Sequence, residues 1–151
     1  MKNLTIGLFG FGVVGQGIYE LLNNAPHLNS KVKKVCIKDP SKKREAPSEL
    51  FTTNADELLN DPEINVIVEL ITESDAALHI INTAFDKGKH VVSANKKVIA
   101  ENLETLVHKA KSKNLSFLYE ASSCACIPII RNLEEYFDND WLRGFYGIVN
   151  G

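Results

Sequence analysis

Glycine residues crowd the start of the chain, at a spacing that could bring a phosphate group against the backbone. Five of the nine glycines lie within the first 17 of 151 residues, and the segment 10–15 matches the pattern G-x-G-x-x-G. Where this pattern joins a strand to a helix, Gly10 would form a tight turn and Gly12 would let a pyrophosphate approach the backbone. Gly15 would let the helix pack closely on the strand. The phosphate would then bind N–H groups at the positive end of the helix. The loop predicts dinucleotide binding, and a tight turn without a ligand is the alternative.

The end of the second predicted strand carries both acidic and basic side chains. Asp39 lies 24 residues after Gly15, close to the offset of ~20 residues at which a carboxylate binds the ribose hydroxyls of NAD. Lys38 and the run Lys42–Arg44 crowd the same segment, and a cluster of cations suits the 2′-phosphate of NADP. A solvated surface loop is another interpretation of the run. The sequence therefore predicts NADP or NAD as the cofactor and leaves the choice between them open.

Two further charged residues follow predicted strands, at the edge where ligands collect in open α/β sheets. Lys96 comes just after the predicted strand 90–93. A cation there could stabilise the alkoxide that forms when an aldehyde is reduced, and could donate a proton to it. The alternative is an exposed lysine that begins a helix beside Lys97. Glu120 follows the predicted strand 116–119 at the same edge. The alternative to a functional role there is a structural one, as a carboxylate that caps a helix or pairs with a cation.

Short apolar runs alternate along the chain with amphipathic segments, and this alternation predicts the elements that must position these residues. Strands are predicted at 4–9, 32–37, 65–71, 90–93 and 116–119. One helix is predicted at 13–23, a second is capped by Ser74 and ends near Gly88, and a third is capped by Asn102. The run 65–71 is almost entirely apolar, as in a strand covered on both faces. The alternation predicts an α/β fold: a Rossmann-like doubly wound parallel sheet with helices on both faces.

The pattern changes in two other parts of the chain. The polar and charged segment 40–53 predicts a surface loop, and after Pro128 the sequence predicts a helix at 129–137 and a strand at 141–150. We therefore predict a NAD(P)-binding Rossmann domain at residues 1–127. Residues 128–151 are predicted to form a connecting helix and a strand.

Composition and charge exclude several classes of function. Lys plus Arg number 17 and Asp plus Glu 19, a net charge of −2, which offers no electrostatic footprint for nucleic acid or an anionic membrane. No apolar run approaches the ~18 residues of a membrane span, and the N-terminus lacks a signal-peptide pattern. The three cysteines, at 36, 124 and 126, are odd in number, which argues against a disulfide framework. Neither the cysteines nor the histidines have the spacing of a transition-metal site. We expect a cytoplasmic protein whose cysteines are small packed residues.

Several motifs besides the glycine loop occur in order along essentially the whole chain. They are KDPSKKR at 38–44, HVVSANK at 90–96, YEAS at 119–122, IPIIRNLE at 127–134 and GIVNG at 147–151. In this combination the chain resembles homoserine dehydrogenase. The resemblance implies NAD(P)-dependent interconversion of L-aspartate 4-semialdehyde and L-homoserine, on the route to threonine, isoleucine and methionine. It also implies that the full-length protein is a homo-oligomer.

The resemblance implies roles for individual residues. Cofactor-binding positions lie in the glycine loop, at the adenosine ribose and beside the nicotinamide: Gly10, Phe11, Gly12, Val13, Val14, Gly15, Lys38, Asp39, Thr72, Ser93, Asn95 and Lys96. Lys96 matches a lysine proposed to act in proton or hydride transfer, and is the implied catalytic residue. A sodium ion would be bound by the carboxylate of Glu120 and by three backbone carbonyls, those of Ser123, Ala125 and Ile127.

Two segments depart from the family's pattern. Residues 123–126, Ser-Cys-Ala-Cys, stand where relatives commonly have a small glycine-rich run, and this affects the cation shell. Thr72 and Glu73 stand where glycines are common, in the loop over the cofactor. The family's pattern also continues into a substrate-binding and dimerisation domain. The resemblance therefore implies that residues 128–151 are the connecting helix and the first strand of that domain, truncated here, and we expect this chain to bind cofactor without turnover. A non-catalytic nucleotide sensor, or a dehydrogenase for another small carbonyl or amino acid, are the alternative functions.

Overall fold

The computed structural model of the protein describes residues 3–125, 127–144 and 146–147, and a six-stranded sheet lies at its centre. The strands are β1 (Leu4–Phe9), β2 (Ser30–Cys36), β3 (Phe51–Thr52), β4 (Val66–Glu69), β5 (His90–Ser93) and β6 (Phe117–Leu118). They lie in the order β3-β2-β1-β4-β5-β6, and every adjacent pair is parallel. This is the strand order of a doubly wound Rossmann sheet, so the predicted fold class is confirmed.

Six α-helices are present among the described residues. They are α1 (Val13–Asn24), α2 (Asp56–Leu59), α3 (Ser74–Asp86), α4 (Lys96–Ser112), α5 (Glu120–Cys124) and α6 (Ile129–Glu135). Short 3-10 helices at Pro26–Leu28 and Ser48–Leu50 precede β2 and β3. The sequence predicts α1, α3, α4 and α6, whereas α2 and α5 are too short for helical periodicity to reveal them.

Both faces of the sheet are covered by helices, because successive side chains of a strand point to opposite faces. On one face, Ile6 and Leu8 of β1 belong to a buried apolar cluster against which Ile18 and Leu22 of α1 pack. On the other face, Phe9 belongs to a cluster that includes buried apolar residues of α3 and α4. Strand β4 is buried along its whole length, as its continuous apolar run predicts.

The chain reverses its direction of winding between β1 and β4. Strands β2 and β3 lie on one side of β1, and β4 to β6 lie on the other. At such a switch point the loops that follow neighbouring strands diverge and leave a crevice outside the carboxyl ends of the strands, where ligands bind. We call this side of the sheet the carboxyl edge. The glycine loop after β1 and the loops after β2 and β4 border the crevice.

Helix α4 begins earlier than the sequence predicts. The side chain of Asn95 accepts a hydrogen bond from the N–H of Val98 at 3.1 Å and caps the helix, which starts at Lys96. The predicted cap, Asn102, lies inside α4, where its side-chain amide donates to the carbonyl oxygen of Val98 at 3.1 Å. The correction follows from packing: Val98 and Ile99 are buried, so the helix begins about two turns before the predicted start.

The predicted cap of α3 is also displaced by one position. Ser74 is the first helical residue, and Glu73 occupies the cap position without a side-chain hydrogen bond to the helix. The predicted end of this helix is confirmed, because Gly88 adopts φ +72° just after it.

The segment 40–53 is only partly the surface loop that its polarity predicts. Phe51 and Thr52 form β3 and pair with Val35 and Cys36 of β2. Leu50 is buried in the apolar cluster that α1 covers, and Phe51 packs against it. Apolar contact with the sheet therefore outweighs the polar character of the flanking residues.

The C-terminal part of the described chain differs from the prediction in one element. The helix predicted at 129–137 is confirmed as α6, which ends at Glu135. Residues 141–144 and 146–147 of the predicted strand 141–150 form a turn and irregular backbone. They take part in none of the strand pairs of the described sheet, and a strand needs a neighbour for its backbone hydrogen bonds. Residues 145 and 148–151 lie outside the described residues, so the second domain stays a prediction.

Candidate functional site

The glycine loop makes the turn and the close approach that its pattern predicts. Gly10 adopts φ +98°, a conformation that favours glycine. Its N–H donates to the carbonyl oxygen of Cys36 at the end of β2, at 3.0 Å. A Cβ atom at Gly15 would lie 2.6 Å from the carbonyl oxygen of Gly10, so α1 can start this close to the loop only with glycine there. The structural roles predicted for Gly10 and Gly15 are confirmed.

Open space lies in front of the first turn of α1. A Cβ atom at Gly12 would meet no atom within 4 Å, and no side chain of the described residues caps the helix. Val13 and Val14 are exposed to 90% and 58%, so the turn presents its backbone beside two uncovered apolar side chains. Unpaired N–H groups at a helix N-terminus, with room in front of them, are the requirements for binding a phosphate.

The side chain of Phe11 anchors this loop. It is buried, and its ring packs edge to face on Tyr19 at 5.9 Å and on Phe51 at 5.0 Å between centroids. Phe11 therefore ties the loop to α1 and β3. Its contribution to the predicted cofactor site is its backbone.

The carboxylate of Asp39, predicted to bind a ribose, is engaged within its own loop. Its Oδ1 accepts hydrogen bonds from the N–H of Ser41 at 2.9 Å and from the hydroxyl of Ser41 at 2.6 Å. These two bonds lower the pKa of Asp39. Arg44 donates to the carbonyl oxygens of Asp39 and Lys42, each at 2.8 Å, and its guanidinium lies 5.5 Å from the centre of the Phe51 ring. Part of the predicted cationic run thus holds the loop together.

This loop encloses a cavity of about 540 Å³, lined by residues between Ile37 and Thr53. None of its lining residues comes from the ends of β1 or β4. The cavity therefore lies apart from the switch point.

An ion pair joins the loops that follow β2 and β4 across the crevice. The Nζ of Lys38 lies 2.8 Å from Oε1 of Glu73, and both side chains are exposed. Their hydrogen bond raises the pKa of Lys38 and lowers the pKa of Glu73. Both residues line a cavity of about 390 Å³ whose other walls are mainly apolar and come from the ends of β1, β2 and β4 and from α3: Phe9, Ile37, Ile71, Ala76 and Ile80.

A buried polar network joins the ends of β4 and β5. The hydroxyl of Ser93 donates to Oε2 of Glu69 at 2.6 Å, and the N–H of Ile71 donates to Oε1 of Glu69 at 2.7 Å. The N–H of Asn95 donates to the Ser93 hydroxyl at 3.2 Å, and the Asn95 side chain donates to the carbonyl oxygen of Ile71 at 3.1 Å. Burial raises the pKa of Glu69. The network fixes the loop after β4 against the start of α4.

Glu69 and the pairing role of Glu73 are not predicted from the sequence. Glu69 carries a signal that could have revealed it, since it is the one acidic residue in the apolar run 65–71. A carboxylate in a fully covered strand needs hydrogen-bond donors. Glu73 carries no such local signal, because its partner is 35 residues away in the sequence.

Lys96 begins α4 at the carboxyl edge, and its ammonium connects α4 to α5. Its Nζ donates to the carbonyl oxygens of Ser122 and Ser123, each at 2.8 Å. The Asn95 cap fixes the first helical turn, from which the lysine side chain extends into an exposed position. An ammonium held in this way can stabilise negative charge on an oxygen beside it.

The carboxylate of Glu120, predicted to bind sodium, caps a helix. Glu120 is the first residue of α5, and its Oε1 and Oε2 accept the N–H groups of Ile130 and Arg131, each at 2.9 Å. These N–H groups belong to the first turn of α6, where a negative charge is stabilising. The structure therefore gives Glu120 the helix-capping role that its sequence position leaves open.

Two of the three carbonyls predicted to complete the sodium shell also have donors. The Ser123 oxygen accepts the Lys96 ammonium, and the Ile127 oxygen accepts the N–H of Ile129 at 2.8 Å. Ala125 adopts φ +54°, a conformation that favours glycine, so the departure from a glycine-rich run strains the backbone here. An ammonium beside a proposed ligand repels a second cation. This arrangement does not fit a bound sodium ion.

The described residues carry few other features that bear on function. No helix among them is long and apolar enough to cross a bilayer. Within the same residues, no three His, Cys, Asp or Glu side chains come together as a metal site. Cys36 is partly buried, and burial raises the pKa of its thiol. Cys126 lies outside the described residues.

The predicted cofactor positions share one side of the sheet. Ser93 is the last, buried residue of β5, and the other positions follow β1, β2, β4 or β5; Thr72 is exposed in the loop between β4 and α3. The predicted positions therefore lie at the carboxyl edge, although their binding of a cofactor stays a prediction.

Comparison with known proteins decides the family. A family model described as "Homoserine dehydrogenase, NAD binding domain" matches residues 10–120. The chain belongs to this family. The match extends from the glycine loop to the first residue of α5, so it includes every strand after β1 and all loops of the crevice.

Individual homoserine dehydrogenases resemble the chain along nearly its whole length. The enzyme of Bacillus subtilis (strain 168) is 35% identical over 162 aligned positions, which cover 100% of this chain and 37% of the relative. That of Synechocystis is 34% identical, covering 98% of this chain and 36% of the relative. The crystal structure of a homoserine dehydrogenase from Thiobacillus denitrificans matches with a TM-score of 0.80 at 30% identity, over 89% of this chain and 33% of that one. The chain spans about a third of the length of these relatives.

Proposed function

We propose that this chain binds NADH or NADPH at the carboxyl edge of its sheet, as the nucleotide-binding part of a homoserine dehydrogenase. The observation that carries the proposal is the open space in front of Gly12, beside an uncapped first turn of α1. A Cβ atom at Gly12 would enter that space, and the exposed backbone around it offers N–H donors to a pyrophosphate. Family membership supports the same role.

The other parts of the cofactor would meet loops that border the same crevice. The apolar cavity between the loops after β2 and β4 suits an adenine ring, and Lys38 lies on its rim. The ends of β4 and β5, with Ser93 and Asn95, lie beyond the glycine loop on the other side of the switch point. They would line the nicotinamide end, where the Glu69 network holds the loop after β4 in place.

Within this proposal Lys96 acts on the substrate oxygen. The bound cofactor supplies the hydride that reduces the aldehyde carbon of L-aspartate 4-semialdehyde to the alcohol of L-homoserine. Lys96 would stabilise the developing alkoxide with its positive charge and supply a proton to it. The carbonyls of Ser122 and Ser123 orient the ammonium, and Asn95 fixes the turn that carries it. A nucleotide sensor without catalysis would not require a lysine in this place.

The chain alone would bind cofactor without appreciable turnover. Its relatives are about three times as long, so about two thirds of such an enzyme lies outside the part that this chain matches. We propose that residues of a second domain bind the substrate, in a cytoplasmic homo-oligomer that serves the route to threonine, isoleucine and methionine.

Calorimetric titration of the chain with NADH and with NADPH tests the proposal. Saturable heat with at least one of them is expected, and the absence of heat with both would contradict cofactor binding. The chain should also fail to oxidise NADPH steadily in the presence of aspartate semialdehyde. Steady oxidation would show that these residues hold a complete active site.

A further inference from the structure

Lys38 and Glu73 form their ion pair at the apolar cavity to which we assign the adenine ring, called here the adenosine cavity. Lys38 follows β2, the strand after which Rossmann domains place the residue that meets the adenosine ribose. Glu73 follows β4, at the position before α3, and both side chains line the cavity of about 390 Å³. Glu73, a carboxylate on the loop after β4, therefore lies beside the residue of the loop after β2 that is expected to meet the adenosine ribose.

Asp39, the carboxylate expected to meet the ribose from the loop after β2, forms hydrogen bonds within its own loop instead. Oδ1 of Asp39 accepts both the N–H and the hydroxyl of Ser41, which closes a turn of its own loop. Asp39 is also absent from the lining of the adenosine cavity, whereas Glu73 belongs to it. Among the described residues that line this cavity, Glu73 is the acidic one.

We propose that Glu73 selects against the 2′-phosphate of NADPH, by neutralising Lys38 and by facing the adenosine ribose with a negative charge. This inference rests on the proposed function. A 2′-phosphate carries a charge of roughly −1.5 to −2 near neutral pH, and it would meet a carboxylate at the rim of the cavity. The ribose hydroxyls of NADH, by contrast, can donate hydrogen bonds to that carboxylate.

The geometry of the pair allows this selection without blocking the site. Both side chains are exposed, at 85% for Lys38 and 55% for Glu73, and exposed ion pairs contribute little to stability. An entering nucleotide can therefore separate the two charges. Each charge then acts on a group at the 2′ position of the ribose: the positive charge of Lys38 attracts a phosphate there, and the negative charge of Glu73 repels it.

Calorimetric titration of four versions of the chain with NADH and NADPH tests the inference: wild type, Glu73→Gln, Lys38→Met and Glu63→Gln. Glu63 lies in the loop that precedes β4, at the end of the strand opposite the carboxyl edge, and pairs with Lys33 of β2. Lys33 is 32% exposed and also pairs with Asp61. The control therefore removes the same carboxylate charge from a lysine–glutamate pair outside the adenosine cavity. Circular dichroism checks that each variant is folded.

The ratio of the two dissociation constants, NADPH over NADH, is the deciding readout. Glu73→Gln should lower this ratio about five- to tenfold, because one charge near the phosphate is removed. Lys38→Met should raise it, and both shifts should shrink at high salt. Glu63→Gln should leave the ratio unchanged.

Two results would overturn the inference, and they differ. If wild type binds a cofactor but Glu73→Gln changes the ratio no more than Glu63→Gln does, Glu73 does not select. If wild type binds neither cofactor, the proposed function fails and the selection fails with it.

Discussion

The ammonium of Lys96 lies 2.8 Å from the carbonyl oxygen of Ser123. That oxygen is one of the atoms that the resemblance to homoserine dehydrogenase assigns to a sodium ion. In this chain a side-chain cation thus occupies the neighbourhood of the expected metal cation. The contact also links the start of α4 to α5. The position of the Lys96 ammonium therefore depends on Ser123, which begins the segment 123–126 that departs from the family's pattern.

The stability of the chain should not depend on sodium. Replacing sodium chloride by choline chloride at equal ionic strength should leave the Tm unchanged, since Lys96 and backbone N–H groups already engage most of the predicted ligands. Differential scanning calorimetry measures this. A Tm that rises with sodium concentration but not with choline would show that folded chain binds the ion, and would contradict the arrangement described.

Gly15→Ala and Gly17→Ala should change stability in opposite directions. A Cβ atom at Gly15 would lie 2.6 Å from the carbonyl oxygen of Gly10, whereas one at Gly17 would meet no atom within 4 Å. Gly15→Ala should therefore lower the free energy of unfolding by about 2 kcal/mol or more. Gly17→Ala should raise it by about 0.5–1 kcal/mol, because alanine favours the helix. Urea unfolding measures the free energy of unfolding of both variants, and equal effects would refute the close packing described at Gly15.

Asn95→Ala should destabilise the chain far more than Asn102→Ala. Asn95 caps α4 and also donates to the carbonyl oxygen of Ile71, whereas Asn102 makes one hydrogen bond within the helix. Loss of the cap and of a partly buried hydrogen bond should cost about 1.5–3 kcal/mol. Alanine at position 102 should be nearly neutral. Urea unfolding measures both, and a larger loss at Asn102 would place the cap where the sequence predicts it.

Glu69→Gln should become progressively more stabilising, relative to wild type, as pH rises. Burial raises the pKa of Glu69 above its ordinary value of 4.5, so the folded chain holds this proton where the unfolded chain has lost it. Stability due to Glu69 therefore falls as pH rises from 4.5 through the folded pKa. Glutamine removes this dependence. Urea unfolding at several pH values gives the difference in free energy of unfolding between Glu69→Gln and wild type, with Glu101→Gln at an exposed position as the control. A difference that does not change with pH would contradict the raised pKa of Glu69.

The sheet and the glycine loop are predictable because their signals are local. The apolar run 65–71 and the pattern at 10–15 each specify a conformation from neighbouring residues alone. The start of α4 is harder, because both Asn95 and Asn102 can cap a helix. Only the burial of Val98, which depends on packing against the sheet, decides between them.

The charged part of the site is less predictable, because its partners are distant in the sequence. Lys38 and Glu73 lie 35 residues apart, and Lys96 and Ser122 lie 26 apart. No periodicity connects such residues. They meet because parallel strands end at one edge of the sheet, so the edge is predictable and the pairs are not.

Binding of NADH by Gly12→Ala shows whether the cofactor's pyrophosphate lies against the glycine loop. The added methyl group meets no protein atom within 4 Å, so loss of the glycine at the cap should lower the free energy of unfolding by at most about 1 kcal/mol. The methyl group would occupy the space proposed for the pyrophosphate. Calorimetry should therefore show binding of NADH weakened at least about tenfold, while Gly17→Ala, on the same helix, binds as wild type does. If Gly12→Ala binds NADH as tightly as wild type does, the pyrophosphate does not bind at this loop.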